Sequence, residues 1–484
     1  MGVLFGCART TIPLTQISVP MPKSPLTLDD VLALFKGYKE GNFFGLSWTE
    51  AFNGMHTKLS REYPFTEWKA INWDTLYDTY QPQIAAAEEN QDAEAYYLAL
   101  REYIFNIPDG YVRITAPEEY REAAIGGDYG FSVLPLEDGR LVVGNLEPDG
   151  FAAHAGIRWG AEILEWNGVP AREALEATSV LWSDNPPATE EYMLFEKCMM
   201  MTRAPVGTEV SMLFRNTNQK SVWGTKLRAH RDRFKGLEDL TRQGRPFSEF
   251  ESPLESKILA DNVGYLKIYC QSPTLTMPFP ARAVRRAVER FIEANVDGVV
   301  LDLRGNSGGE DDLAATFAGH FTEKPLFFRH VVAFDEKKGG FALKDGERLI
   351  VEPRTPVFTG PIAILIHRNT RDSGQAIANV LAPLPNVFVV GAQGTEGSYA
   401  YIGSEITMPE GHKISYPIGR MLDEADNILI TSGADMKNRV VPDLRTPFTL
   451  ENLDLFFNQG ADPVLDQAVA EIKRRASEKE ETEK

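Results

Sequence analysis

The stretch Gly298-Val299-Val300-Leu301-Asp302-Leu303 constrains the fold more than any other, because it is apolar on both alternating faces and runs into the glycine-rich turn Arg304-Gly305-Asn306-Ser307-Gly308-Gly309. A strand without a polar face must be covered on both sides, which points to a sheet flanked by helices. Similar strands are predicted at Val263-Gly264-Tyr265-Leu266-Lys267-Ile268, Pro361-Ile362-Ala363-Ile364-Leu365-Ile366 and Asn386-Val387-Phe388-Val389-Val390-Gly391. Between them, Ala283 to Ala294 sets Val284, Ala287, Val288, Phe291 and Ile292 on one helical face. Strands separated by helices predict βαβ units and a largely parallel sheet.

That core occupies about residues 240–472 of a 484-residue chain that is 43% apolar, enough to fill two or three cores, so an α/β multidomain protein is expected. Residues 1–24 are rich in Pro, Thr and Ser and read as a leader or tether. Residues 25–115 read as a helical N-terminal domain, in which Val31, Leu34 and Phe35 share one face and Tyr96, Leu100 and Tyr103 another. Strand signals take over across 120–232, and residues 473–484 form a charged tail expected to fray.

Within 120–232 the order is Gly130-Phe131-Ser132-Val133-Leu134, the turn Glu137-Asp138-Gly139, Leu141-Val142-Val143, Glu147-Pro148-Asp149-Gly150, Phe151-Ala152-Ala153-His154-Ala155-Gly156, and Gly160-Ala161-Glu162-Ile163-Leu164-Glu165-Trp166-Asn167-Gly168. This order resembles bacterial PDZ domains, with Ala161 where the family usually has Asp. The resemblance implies strand addition of an extended peptide, with the peptide carboxylate held by backbone N–H groups of the loop Tyr129-Gly130-Phe131. The structural alternative is a β-domain with a closed groove serving as a spacer.

A net charge of −19, with no basic stripe of interleaved aromatics, argues against nucleic acid as a partner. Cys7, Cys198 and Cys270 have neither metal-ligand nor paired spacing, and neither a metal nor a cofactor is called for. No apolar run reaches the length of a transmembrane helix. Leu4-Phe5-Gly6-Cys7 resembles the lipobox of bacterial lipoproteins. Cys7 is therefore a candidate lipid anchor for a periplasmic or outer-membrane-associated protein if the true start lies upstream. The alternative is a chance cysteine in a leader and a cytoplasmic protein.

Two motifs could carry chemistry. In Leu301-Asp302-Leu303-Arg304-Gly305-Asn306-Ser307-Gly308-Gly309, glycine N–H groups can approach a ligand closely and form an oxyanion hole. The absence of a Walker lysine, and Glu310, Asp311 and Asp312 at the start of the next helix, disfavour a phosphate loop. The second motif is Thr370-Arg371-Asp372-Ser373-Gly374-Gln375 at the start of an apolar helix. With Thr395-Glu396-Gly397 and the late Pro442-Asp443, the ordered set resembles the carboxyl-terminal-processing, or tail-specific, serine proteases over roughly residues 240–470.

What the resemblance implies for catalysis departs from the family at each decisive position. In the gapless register the nucleophilic serine falls on Asp372; a one-residue slip makes Ser373 the alternative nucleophile. Gly308, Gly309 and Ser373 are the oxyanion candidates. The lysine base of one family version is replaced by Ser398, and the histidine base of the other, in an Asp-Gly-His segment, by Tyr111 in Asp109-Gly110-Tyr111. A serine hydroxyl needs an adjacent base, and an aspartate activating water needs a second carboxylate, for which Glu396 is the nearby candidate. The lone histidines His367 and His412 read as structural. The sequence thus suggests a protease-like protein that binds extended or C-terminal peptides or unfolded segments with impaired or absent proteolysis. The alternatives are an active serine endopeptidase using Ser373 and a non-catalytic envelope scaffold.

Overall fold

The computed structural model describes residues 41–240, 250–403, 405–437 and 439–483. The leader, Cys7 and the apolar face of Val31, Leu34 and Phe35 lie outside these residues. The N-terminal helices are Trp48–Glu62, Trp73–Asn90 and Ala93–Phe105. Each begins at a residue whose side chain accepts from a first-turn N–H: Ser47, in a capping box with Glu50, then Asn72 and Asp92. Phe52, Met55, Tyr96, Leu100 and Tyr103 are fully buried between them. Their core is shared with Ile406, Met408, Ile414 and Tyr416 from late in the chain. The short strand Arg113–Ile114 pairs with Lys413–Ser415, fixing the residues just before it against the core.

In the β-rich segment, Ser132–Pro135, Leu141–Gly144, Glu162–Trp166, Glu209–Arg215 and Trp223–Arg228 form one antiparallel sheet in that order. The edge strand Ser132–Pro135 is buried at every residue. The helix Glu190–Met201 packs against that strand.

The core sheet runs Leu254–Ile258, Val263–Ile268, Gly298–Asp302, Ile362–Leu365, Val387–Gly391, Leu444–Arg445. It is mixed: the first pair is antiparallel and the other four are parallel. Both faces are covered, as the apolar strands require. Val299 and Leu301 face the cluster holding Val284, Phe291, Phe317 and Ile377. Val300 faces Ala468 and Ile472 of the C-terminal helix Pro463–Glu483. In the helix Pro280–Glu293, Val284, Ala287, Val288 and Phe291 are buried, but Ile292 is 43% exposed, off the face on which it was expected. The C-terminal helix continues through the charged segment to Glu483. Spacings of three and four residues pair Arg474 and Arg475 with Glu471, and Arg474 with Glu478.

A second core sheet was not anticipated. The long strand Leu326–Asp335 pairs antiparallel with Gly340–Leu343, Leu349–Val351 and Pro417–Leu422, and Ala400–Ile402 pairs with the last of these.

Candidate active site

The glycine-rich turn is clamped from below by charge. Asp302, at the end of its strand, is fully buried and accepts from Arg304 (2.8 Å) and from the Tyr265 hydroxyl (2.8 Å). Burial alone would raise its pKa; Arg304 and Lys267 outweigh burial and hold the carboxyl well below the ordinary carboxylate range. Asn306 then locks the turn, its Nδ2 donating to the Ile268 carbonyl (2.8 Å) and its Oδ1 accepting from the Gly308 N–H (2.9 Å). Of the three oxyanion candidates, Gly308 therefore has its N–H already engaged.

Asp372 faces this turn. It is the first residue of the helix Asp372–Leu381 and has φ of +49°, a left-handed conformation uncommon for a residue with a side chain. A Cβ on Gly308 would stand 2.3 Å from the Asp372 Cβ, so the acid packs against a surface that only glycine leaves open. The Gly309 N–H donates to its carboxylate, and the Tyr111 hydroxyl donates to Oδ1 at 2.6 Å. Burial, followed by the charge of Asp311, pushes the Asp372 pKa up to about 7. Asp311 is itself occupied, accepting from Arg329 Nε (2.6 Å) and from the Tyr399 hydroxyl (3.0 Å). Each of its oxygens thus already accepts one hydrogen bond.

Ser373 points elsewhere. It is fully buried, and its hydroxyl donates to Gln271 Oε1 (3.0 Å), a carboxamide oxygen that cannot serve as a proton acceptor for a nucleophile. Ser398 holds the backbone: its Oγ accepts from the Gly110 N–H (3.1 Å) and its N–H donates to Glu396 Oε2 (2.9 Å). Gln375 ties the same turn by donating to the Ser398 carbonyl and accepting from Gly397 N–H (3.3 Å). Burial raises the pKa of Glu396 despite the opposing charge of Arg371. Its Oε1 lies 1.8 Å from where a Cβ on Gly110 would stand, which explains the glycine before Tyr111.

No base reaches Ser373 from elsewhere among the described residues. The Lys69 ammonium is buried and donates to the carbonyls of Pro108 (2.8 Å) and Ser432 (2.7 Å), bracing the Tyr111 segment. His367 accepts at Nδ1 from the N–H groups of Asn369 (3.1 Å) and Gly305 (3.3 Å), and burial holds its pKa well below the ordinary value. His412 packs on Tyr96 and Tyr97. The structure thus joins Asp372, Tyr111 and Gly309, keeps Ser398 one residue from Tyr111 at Gly110, and sets Ser373 apart. Sequence reasoning missed Asp311, Tyr399 and Arg329; the acidic run Glu310-Asp311-Asp312 was the available signal.

In the β-rich segment, Tyr129 and Phe131 are core residues set edge-on to Trp166, each 3% exposed. Between them the Gly130 N–H donates to Asp128 Oδ1 at 2.6 Å, so the amide expected to hold a peptide carboxylate meets one from its own chain. Burial raises the Asp128 pKa to about 6 even though Arg203 lies 3.1 Å away. Among the described residues no cluster of His, Cys, Asp and Glu is arranged to hold a metal ion, and no helix is long and apolar enough to cross a membrane.

Residues 262–445 match the sequence profile of Peptidase family S41. The chain is 22% identical over 349 residues to carboxyl-terminal-processing peptidase 2, chloroplastic, of Arabidopsis thaliana, taking in 70% of this chain and 59% of that protein. It is 27% identical over 141 residues to the nisin-resistance protein of Lactococcus lactis subsp. lactis, taking in 28% of this chain and 43% of that protein. The matches therefore span less than two thirds of either relative's own length. Among solved structures, mature CPAF complexed with lactacystin aligns with a TM-score of 0.60 at 15% identity, covering 88% of this chain and 99% of that one. That is a likeness of fold.

Proposed function

With residues 262–445 forming a Peptidase family S41 domain, we propose that the chain binds extended or C-terminal peptide segments and has impaired or no serine-type proteolysis. The observation that carries this reading is the 2.6 Å hydrogen bond from Tyr111 to Asp372. These are the two positions that the family resemblance assigns to base and nucleophile. Their replacements satisfy each other, as donor and acceptor, and leave neither a nucleophilic hydroxyl nor a base for one. An aspartate attacking an amide would pass through a strained anhydride, and the acid that acts on Asp372, Asp311, is already bonded to Arg329 and Tyr399.

The burial of Ser373 and its bond to Gln271 weigh against the active-endopeptidase alternative. The test is incubation of purified protein with an unfolded, fluorogenic protein reporter alongside direct binding of the uncleaved reporter. Binding without cleavage is expected. Cleavage that disappears in Ser373→Ala would overturn the reading, and absence of any peptide binding would favour a purely structural scaffold.

A further inference from the structure

Three arginines line the approach to Asp372, and among the described residues none has a carboxylate partner at ion-pair distance. Arg113 follows Tyr111 by two residues and makes one hydrogen bond, from Nε to the Gly110 carbonyl (2.9 Å), which leaves both Nη groups open. Arg371 immediately precedes Asp372; its Nη2 donates to the Tyr192 hydroxyl, and its Nε has no partner. Arg368 lies over the Phe195 ring at 4.7 Å, and its Nε is likewise without a partner. Tyr192 and Phe195 belong to the helix Glu190–Met201 of the β-rich segment. The arginines therefore sit where that segment meets the core, a common location for ligand clefts.

Their exposure is graded. Arg113 is exposed to solvent, and Arg368, Arg371, Tyr111 and Asp372 are partly so. Even so, surrounding protein desolvates Arg113 and, with the charge of Arg371, lowers its pKa. Burial and the charge of Arg371 act in the same direction on Arg368, where Glu196 opposes them. Glu396 and Glu196 influence the group at longer range, but burial raises the pKa of both. Against the lowering effect of burial, the charges of Tyr192, Glu396 and Glu196 hold Arg371 above its ordinary range, whereas Arg113 and Arg368 are held below theirs. In a chain of net charge −19, guanidinium N–H groups without ion pairs are free to take an incoming carboxylate.

We infer that the cleft between Tyr111–Arg113, the 368–372 turn and the helix Glu190–Met201 binds a carboxylate of the incoming peptide, making acidic segments or acidic C-termini the favoured ligands. This rests on the peptide-binding reading above and assigns the anion to Arg113, Arg368 and Arg371 rather than to the Tyr129-Gly130-Phe131 loop. The planar, permanently charged guanidinium suits a carboxylate better than an ammonium does.

The test is fluorescence anisotropy with the full chain and three labelled peptides: one with several Glu residues and a free C-terminus, the same peptide amidated, and an amidated version with every Glu replaced by Gln. The acidic peptides should bind about tenfold or more tightly than the neutral one, and raising the salt from about 50 to about 500 mM should erase much of the difference. Arg113→Gln should cut acidic-peptide affinity by about tenfold and leave neutral-peptide affinity unchanged, with Arg113→Lys restoring part of it. Comparison of the free and amidated acidic peptides assigns the carboxylate to the terminus or to side chains. Equal affinity for acidic and neutral peptides, or an Arg113→Gln variant that keeps the preference, overturns the inference while leaving peptide binding intact. If no peptide binds, both readings fall.

Discussion

Tyr111 donates its hydroxyl to Asp372 Oδ1 at 2.6 Å, joining two residues 261 positions apart. The contact depends on the small strand Arg113–Ile114, which fastens the end of the N-terminal helical segment to Lys413–Ser415. It also depends on Gly308, which lets Asp372 approach the turn.

Replacing Tyr111 by Phe removes a hydrogen bond to a half-buried carboxylate. Because that bond favours the charged form, its loss should raise the Asp372 pKa further. The expected cost is about 1.5–3 kcal/mol at pH 8, where the acid is ionised, and less at pH 5. Urea denaturation of wild type and Tyr111→Phe at the two pH values measures it.

The raised pKa also predicts a sign for the pH dependence. Asp372 titrates near 7 in the folded protein against 3.8 as its ordinary value, so between these pH values the folded state holds a proton that the unfolded state has released. Its contribution to stability is therefore complete below the ordinary pKa, falls as pH rises toward 7 and is flat beyond. The neutral variant Asp372→Asn should lose this slope and be more stable than wild type at pH 8 by about 2 kcal/mol, roughly half the linkage ceiling for such a shift. The difference between the two denaturation curves across pH 4–8 separates Asp372, with its interaction with Asp311, from uncoupled groups such as Asp128.

Gly308→Ala should destabilise the protein by about 2–4 kcal/mol, since the residue has φ of +86° and the new methyl would lie 2.3 Å from the Asp372 Cβ. Thermal unfolding of Gly308→Ala and of Gly339→Ala compares this with a left-handed glycine whose Cβ would meet nothing. The Gly339 change should cost only the backbone strain.

Restoring one partner should not restore chemistry. Asp372→Ser alone gains a hydroxyl without a base, so a fluorophosphonate probe should leave it unlabelled. The double variant Tyr111→His, Asp372→Ser places an imidazole at the position that now bonds residue 372, and its labelling should exceed the single variant's by about tenfold or more. Gel fluorescence after timed exposure reads the ratio.

Much of this was legible from residue order because the decisive elements are local. The apolar runs at 263–268 and 298–303 could only be covered strands, and the register that put Asp372 at the nucleophile position follows from an unbroken helix and the strand ending at Gly391. What escaped was set by distant packing. The antiparallel sheet around Leu326–Asp335 is built from segments up to about ninety residues apart, although the turn Glu336-Lys337-Lys338-Gly339 before Gly340–Leu343 carried a hairpin signal. Asp311 opens the helix Asp311–Ala318 and Glu396 lies in a polar turn, and sequence spacing does not reveal which of them senses Asp372. Arg113 likewise reads as an ordinary strand-edge residue until Tyr111 is anchored beside it.

In the proposed reading an acid bonded to Tyr111 stands at the nucleophile position and Ser373 is structural. Turnover of an unfolded fluorogenic reporter by wild type and Ser373→Ala, with fluorophosphonate labelling of both, distinguishes this from an active serine peptidase. No labelling of Ser373 and no difference in cleavage between the two proteins are expected. Robust cleavage by wild type that vanishes in Ser373→Ala, with the probe attached to Ser373, would contradict this reading.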